Sequence, residues 1–304
     1  MASDIANRTL RALDESASLG SRLPALLVEA DRVAQSVAQG VHGRRRVGIG
    51  ETFWQFRPYQ FGDPVSAIDW RQTARGERAY IRENEWEAAQ SIWLWRDAGS
   101  SMRWRSGKDL PSKRWRSELL LLALGNLLMR GGEHIALLGT EQPPSSGKAT
   151  AERMARTLVD MNMPGHNLDL PQAEQTRPIP RFARMVLISD FFDEIEPLEE
   201  LVRRQAGRNI RGHLVQVLDP AEIELPYFGR VQFEAMEEGG GAELIPKVQL
   251  IRRSYVKRLK ARQDALNDLA RRTGWEMTVH RTDQPPQTAL LALFQSMTAA
   301  KGVG

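Results

Sequence analysis

Two apolar runs in this sequence end in an acid. The first, "SIWLWRDAGSSM", carries Asp97 with Ser101 shortly after it, and the second, "MVLISDFFD", carries Asp190. Carboxylate and hydroxyl oxygens are the ligands that a hard cation such as Mg²⁺ takes, usually with several waters left in its octahedral shell. If the two runs are neighbouring strands, Asp97, Ser101 and Asp190 meet at one mouth, where a single cation would offset the repulsion between the acids. The same residue types also cap backbone N–H groups at the start of a turn. Asp97 and Ser101 therefore have a structural reading beside the chemical one.

Most other chemistries lack their parts. A phosphate-binding Walker loop needs Gly, four residues, then Gly-Lys-Ser/Thr. Both "SGKD" at 106–109 and "SGKA" at 146–149 lack the first glycine and the hydroxyl residue. The histidines (His42, His134, His166, His213 and His280) are scattered and form no His-x-x-x-His pair. The chain has no cysteine, which excludes disulfides, thiolate metal sites and a cysteine nucleophile. A serine nucleophile on a strand-to-helix turn wants glycine on both sides, and "DAGSSM" has it on one. The enzymatic reading that survives is a Mg²⁺-dependent hydrolase using Asp97 and Asp190, and it still needs a base to activate water.

The elements that must position these acids follow from hydrophobic periodicity. "PALLVEADRVAQSVAQ" at 24–39 has helical spacing after a first-turn proline, with Gly40 and Gly43 as stop signals. Residues 47–90 mix glycine, aromatics and proline without helical period and predict an irregular, β-rich segment. Strands are expected at about 91–96, at "HIALLG", "FARMVLIS", "IRGHLVQVL" and "WEMTVH". Helices are expected at about 112–130, 150–162, 194–206, 248–273 and 288–298. A hairpin over "GRVQFEAMEEGGGAELI" turns at Gly239 to Gly241, and Ile251, Tyr255, Leu259 and Leu266 mark the buried side of the long helix.

Apolar strands alternating with helices predict a doubly wound, mostly parallel α/β sheet. Ligands of such sheets bind outside the carboxyl ends of the strands, where both acids fall. The expected organisation is an N-terminal helical lead-in over 1–46, the β-rich segment over 47–90, and an α/β domain over 88–304 with a hairpin insertion near 230–245.

Composition bounds the partners. At 304 residues with 41% hydrophobic and 26% charged residues, the chain has the material for one large domain with an appendage or for two domains, and is not disordered. The net charge of +4 is mild. The run Arg44 to Arg46 is short, and "RRSYVKRLKARQ" at 252–263 reads as the solvated face of a helix, so nucleic acid is not an expected partner. The apolar stretch "LLLLALGNLLM" falls short of the roughly 20 residues that span a bilayer. The N-terminal segment carries acids and no continuous apolar core. A cytoplasmic protein without membrane contact is the expectation.

Residues 47 to about 135 resemble the bacterial domain-of-unknown-function family fifty-eight (DUF58). The resemblance rests on Arg57-Pro-Tyr59, Gly62-Asp63, Ile68-Asp69-Trp70, Ala74-Arg75 and Arg82-Glu83, followed by "DAGSSM", with "LISDFFD" and "VLDPAEIELP" downstream. It implies a von Willebrand factor A (vWA)-like fold with a metal-ion-dependent adhesion site, built from a strand-end Asp-x-Ser-x-Ser, a threonine and a later acid. Carried over, Asp97 and Ser101 match the first and last members of the serine motif, and Asp190 matches the later acid. Gly99 replaces the middle serine, and the loop "PGHNLDL" offers His166 or Asn167 where the threonine is expected. The implied cofactor is Mg²⁺, with those ligands missing. The implied function is a non-enzymatic adaptor that works with a MoxR-type AAA+ ATPase in chaperone-like handling of client proteins. Arg57, Asp63, Asp69, Trp70, Arg75 and Arg82 then make either an internal Arg–Asp network that pins the irregular segment or a surface facing a partner. Ser66-Ala67 stand where relatives place an arginine.

Overall fold

Helix α1 spans residues 24–39 of the computed structural model, which describes residues 24–39, 53–59, 68, 70–74, 79–84, 90–162, 170, 178–236 and 241–299. The chain divides into two units, one of residues 44–89 and one of residues 1–43 with 90–304. In the smaller unit the order is β1 (Phe53–Pro58), α2 (Trp70–Thr73) and β2 (Tyr80–Asn84). The larger unit continues with β3 (Ser91–Arg96), α3 (Lys113–Arg130), β4 (His134–Leu137), α4 (Lys148–Asp160), β5 (Arg184–Ser189) and α5 (Glu196–Gly207). It is completed by β6 (Arg211–Leu218), α6 (Pro220–Glu224), β7 (Val231–Glu234), β8 (Ala242–Ile245), α7 (Val248–Thr273), β9 (Glu276–Arg281) and α8 (Pro286–Ala299).

The five strands β4-β3-β5-β6-β9 form one sheet in that order, every neighbour parallel. Because side chains alternate across a strand, consecutive apolar residues serve two cores. Ile92 and Leu94 of β3, Val186 and Ile188 of β5, and Val215 and Val217 of β6 face one side, with α1, α3, α4 and α8 packed there. Trp93, Trp95, Met185, Leu187 and Leu214 face the other, under α5 and α7. This two-sided cover is why the strands read as unbroken apolar runs rather than alternating ones. It makes the larger unit a doubly wound α/β domain. α1 belongs to this unit, burying Leu26, Ala30, Val33, Ala34 and Val37.

Two glycines set close approaches. Gly274 ends α7 in the left-handed region at φ 68, which turns the chain directly into β9. The Trp275 ring that follows lies so near β6 that a Cβ on Gly212 would sit 2.5 Å from it. The sequence expectation for the start of α7 needs correction, because Ile251 is 36% exposed while Leu259 and Leu266 are buried. Val248 at the start of the helix is buried, but between it and Leu259 two polar side chains take the inner face and bond carbonyl groups. The Arg252 guanidinium donates to Leu225 O (2.9 Å) and Tyr227 O (2.8 Å), and the Tyr255 hydroxyl donates to Glu222 O (2.6 Å). The β7–β8 hairpin is antiparallel, with most of its residues exposed.

In the smaller unit β1 and β2 pair antiparallel with an irregularity between Phe53 and Gln55. Arg57 stands opposite Ile81 and Arg82 opposite Phe56 in the backbone register. Tyr59 N–H donates to Ala79 O at 2.8 Å, and Tyr80 N–H donates to Thr73 Oγ1 at 3.0 Å, which ties α2 to β2. Trp70 is 63% exposed. Asp63, Asp69, Arg75 and the side chains of Arg57 and Arg82 lie outside the described residues, as do Arg44 to Arg46, His166, Asn167 and Gly239. Among the described residues no helix is long and apolar enough to cross a membrane.

Candidate functional site

Three central strands of the sheet are followed at once by an acid: Asp97 after β3, Asp190 after β5 and Asp219 after β6. Since β3, β5 and β6 are consecutive in the sheet, the acids line one mouth at its carboxyl ends. Asp97 N–H donates to Ile188 O at 2.8 Å, so the ladder between β3 and β5 holds right up to the acid.

Each carboxylate is occupied by groups of the chain itself. Asp97 Oδ1 accepts from Gly99 N–H at 2.7 Å, and its Oδ2 accepts from the Ser189 hydroxyl at 2.6 Å. Asp97 therefore does cap the turn that follows it. Burial pushes its carboxyl above the usual carboxylate range; the bonds from Ser189 and Gly99 oppose that, and the nearby Asp190 adds to it. Ser101 is no cap. From the 3-10 turn Ser100–Arg103 its hydroxyl reaches across to donate to Asp190 Oδ2 at 2.8 Å. Asp190 Oδ1 accepts from Phe192 N–H at 3.1 Å. The turn between them is fixed by Phe191 at φ 52, a left-handed conformation that a bulky residue seldom takes. Its N–H bonds Ser189 Oγ (2.9 Å) and its carbonyl accepts from Arg262 Nε (2.8 Å).

The residue at the centre of the mouth is Lys113, the first residue of α3 after the N-cap Ser112. Its Nζ lies 2.7 Å from Asp190 Oδ2 and 2.5 Å from Glu222 Oε1, and 5.3 Å from the centroid of the Phe192 ring. The side chain is 0% exposed. Glu222 Oε2 accepts from Asp219 N–H at 2.9 Å, and Asp219 Oδ1 accepts from Ala221 N–H at 2.8 Å, forming the capping box of α6. Asp219 Oδ2 accepts from Ser106 N–H at 2.9 Å. Burial pushes the Glu222 carboxyl up while Lys113 pulls it back down. Behind Asp97, the buried Arg96 pairs with Glu118 at 3.0 Å and also donates to Asn162 Oδ1 at 2.6 Å and Leu158 O at 3.0 Å.

The structure thus brings Asp97, Ser101 and Asp190 to one place, and it adds Lys113, Ser189, Asp219 and Glu222, which the sequence reading did not single out. As arranged, these residues do not fit a divalent cation. Such an ion needs free carboxylate or hydroxyl lone pairs converging on one point. Here the Asp190 oxygen shared with Ser101 already faces an ammonium, and both Asp97 oxygens are turned to Gly99 and Ser189. Among the described residues no group of three or more acid, histidine or cysteine side chains is placed to hold a metal ion.

Strand order, two-sided helix cover and acids at the carboxyl ends define a doubly wound α/β protein with a closed polar mouth. The family model described as "Protein of unknown function DUF58" matches residues 55–265, and the chain belongs to that family. Uncharacterized proteins of Mycobacterium tuberculosis and Mycobacterium bovis are each 28% identical to it over 240 residues, covering 76% of this chain and 74% of their own. Among solved structures, the conserved hypothetical protein BatB from Bacteroides thetaiotaomicron and an aerotolerance-related membrane protein from Bacteroides fragilis each align with a TM-score of 0.41. Both are 13% identical and cover 69% of this chain and 100% of theirs.

Proposed function

We propose that this chain is a non-enzymatic, vWA-like interaction protein of the cytoplasm that works as an adaptor with a MoxR-type AAA+ ATPase on client proteins. The observation that carries the reading is the state of the mouth. Where a doubly wound sheet would present its reactive groups, the carboxylates accept hydrogen bonds from Lys113, Ser101, Ser189 and backbone N–H groups. A hydrolase working there needs a base with a lone pair free to take a proton from water. Both oxygens of Asp97 and of Asp190 already hold hydrogen bonds from within the chain, and Asp190 Oδ2 holds two, from Ser101 and from the Lys113 ammonium. What the mouth presents outward is aromatic. Phe192, two residues past Asp190 and beside Lys113, is 42% exposed. Exposed aromatic side chains beside a rigid sheet end are the kind of surface on which protein contacts are made. The family resemblance supplies the partner.

The test is association of the purified chain with the nucleotide-free MoxR-type ATPase of the same genome, in Mg²⁺ and in EDTA, by size-exclusion chromatography. A complex that forms in both and weakens at least about tenfold in Phe192→Ser, the loss expected of an interface anchor, is the expected result. Absence of any complex overturns the partnership. Turnover on a panel of phosphate esters and nucleic acids that vanishes in Asp190→Ala overturns the non-enzymatic reading and restores the hydrolase.

A further inference from the structure

We propose that the Lys113 ammonium is the built-in cation of this mouth, holding the ends of β3, β5 and β6 together in the role that a divalent ion would otherwise fill. Lys113 reaches Asp190 at the end of β5 and Glu222 on the short helix after β6. The Asp190 oxygen it binds is the one that Ser101 binds from the segment after β3. One ammonium is therefore linked to three strand ends, two directly and one through the shared carboxylate. Its full burial fits a structural charge rather than a group awaiting a ligand. A lone ammonium taken out of water is strongly disfavoured unless charge and hydrogen bonds compensate it, and two carboxylates do so here.

Lys113 and Gly99 belong to one arrangement. A Cβ at residue 99 would lie 2.9 Å from Asp97 Oδ1, closer than carbon and oxygen tolerate, so a serine there would drive Asp97 out of its present bond to the Gly99 N–H. With glycine, Asp97 folds back on its own turn and on Ser189, and contributes no oxygen to the point where Lys113 sits. The missing serine is thus what allows the acid to face inward, while the lysine supplies the positive charge that Asp190 and Glu222 require. Phe192 closes the outer side of the ammonium with its ring.

The experiment measures metal binding and stability and needs no partner protein. Mn²⁺ binding is followed by electron paramagnetic resonance on the full chain, and unfolding by urea is followed in EDTA and in Mg²⁺. The wild type is expected to bind no stoichiometric Mn²⁺ and to unfold identically in both solutions. Lys113→Met leaves the buried Asp190 and the half-buried Glu222 without their counter-charge, and its unfolding equilibrium constant is expected to rise by about a hundredfold or more. Adding Glu222→Gln restores the net charge of the trio and is expected to recover at least about tenfold of that loss. If Lys113→Met does not fold, the paired variant decides, since folding of the pair sustains the proposal and failure of both overturns it. One Mn²⁺ bound by the wild type and lost in Asp190→Asn overturns it. So does a Lys113→Met protein as stable as the wild type.

Discussion

Acid should unfold this protein partly through one imidazole. His213 lies in β6 at 2% exposure, its Nδ1 3.1 Å from Ser296 Oγ and its Nε2 2.7 Å from Thr278 Oγ1. A neutral imidazole suits this place, donating to one hydroxyl and accepting from the other. Burial lowers its pKa from 6.5 to about 4, and the Glu276 carboxylate, 3.9 Å from Nδ1 and itself well exposed, only partly opposes this. The unfolded chain therefore binds a proton that the folded chain refuses. The associated stability is complete above pH 6.5 and is lost as the pH falls towards and through about 4. At about 1.4 kcal/mol for each unit of pKa, the loss between neutral pH and about pH 4 comes to about 3 kcal/mol. Asp97 and Glu222 act in the opposite sense. Their carboxyls are raised in the fold, so what they contribute is present at low pH and lost as the pH rises through their folded pKa values. The effect of His213 must therefore be read as a difference. Urea unfolding of the wild type and of His213→Asn, stepped from neutral to about pH 4, should give two stability curves that converge by about 3 kcal/mol. Parallel curves would show that His213 titrates as freely in the fold as out of it, and the account of its burial would be wrong.

Two further outcomes test the packing. Gly212→Ala places a methyl group 2.5 Å from the Trp275 ring in a central strand. Overpacking of this kind should cost about 3 kcal/mol in chemical unfolding, and an unchanged midpoint would mean that Trp275 can move. Arg96→Met strands the buried Glu118 carboxylate, which retains its bond from Asn162, and should cost about 3 kcal/mol or more. Arg96→Met with Glu118→Leu should recover most of it, and a single variant as stable as the wild type refutes the pairing.

The α/β alternation was legible because periodicity is strongest where burial is most complete. The limits of α7 and the position of β3 follow the sequence closely, since an unbroken apolar run and a left-handed glycine at 274 leave little choice. The meeting of Asp97 with Asp190 was legible only as a condition on strand order, and strand order is set by how helices pack over the sheet rather than by any local pattern. Ile251 misled because helical spacing marks one continuous stripe, whereas the buried face of α7 is interrupted between Val248 and Leu259, where Arg252 and Tyr255 bond carbonyl groups. Lys113 escaped because a lysine beside arginines, as in "SKRWR", reads as solvated charge. A signal was present all the same. A cation at the first position of a helix opposes the helix dipole, and α3 has no acid in its first turn to balance it, so the compensating acids had to come from elsewhere in the chain.

The place of α1 in the fold carries a consequence for synthesis. This helix is the first described element to leave the ribosome, yet the surface that covers its apolar stripe includes α3, to which Asp31 is tied by Arg130. The whole of residues 44–89 and strand β3 must be translated before α3 exists, and α8, which shares the same core, is the last of the described elements to be made. During that interval Leu26, Val33 and Val37 have no native cover, an invitation to aggregation or to capture by a chaperone. The nascent chain thus spends most of its translation with its earliest helix waiting for its latest one.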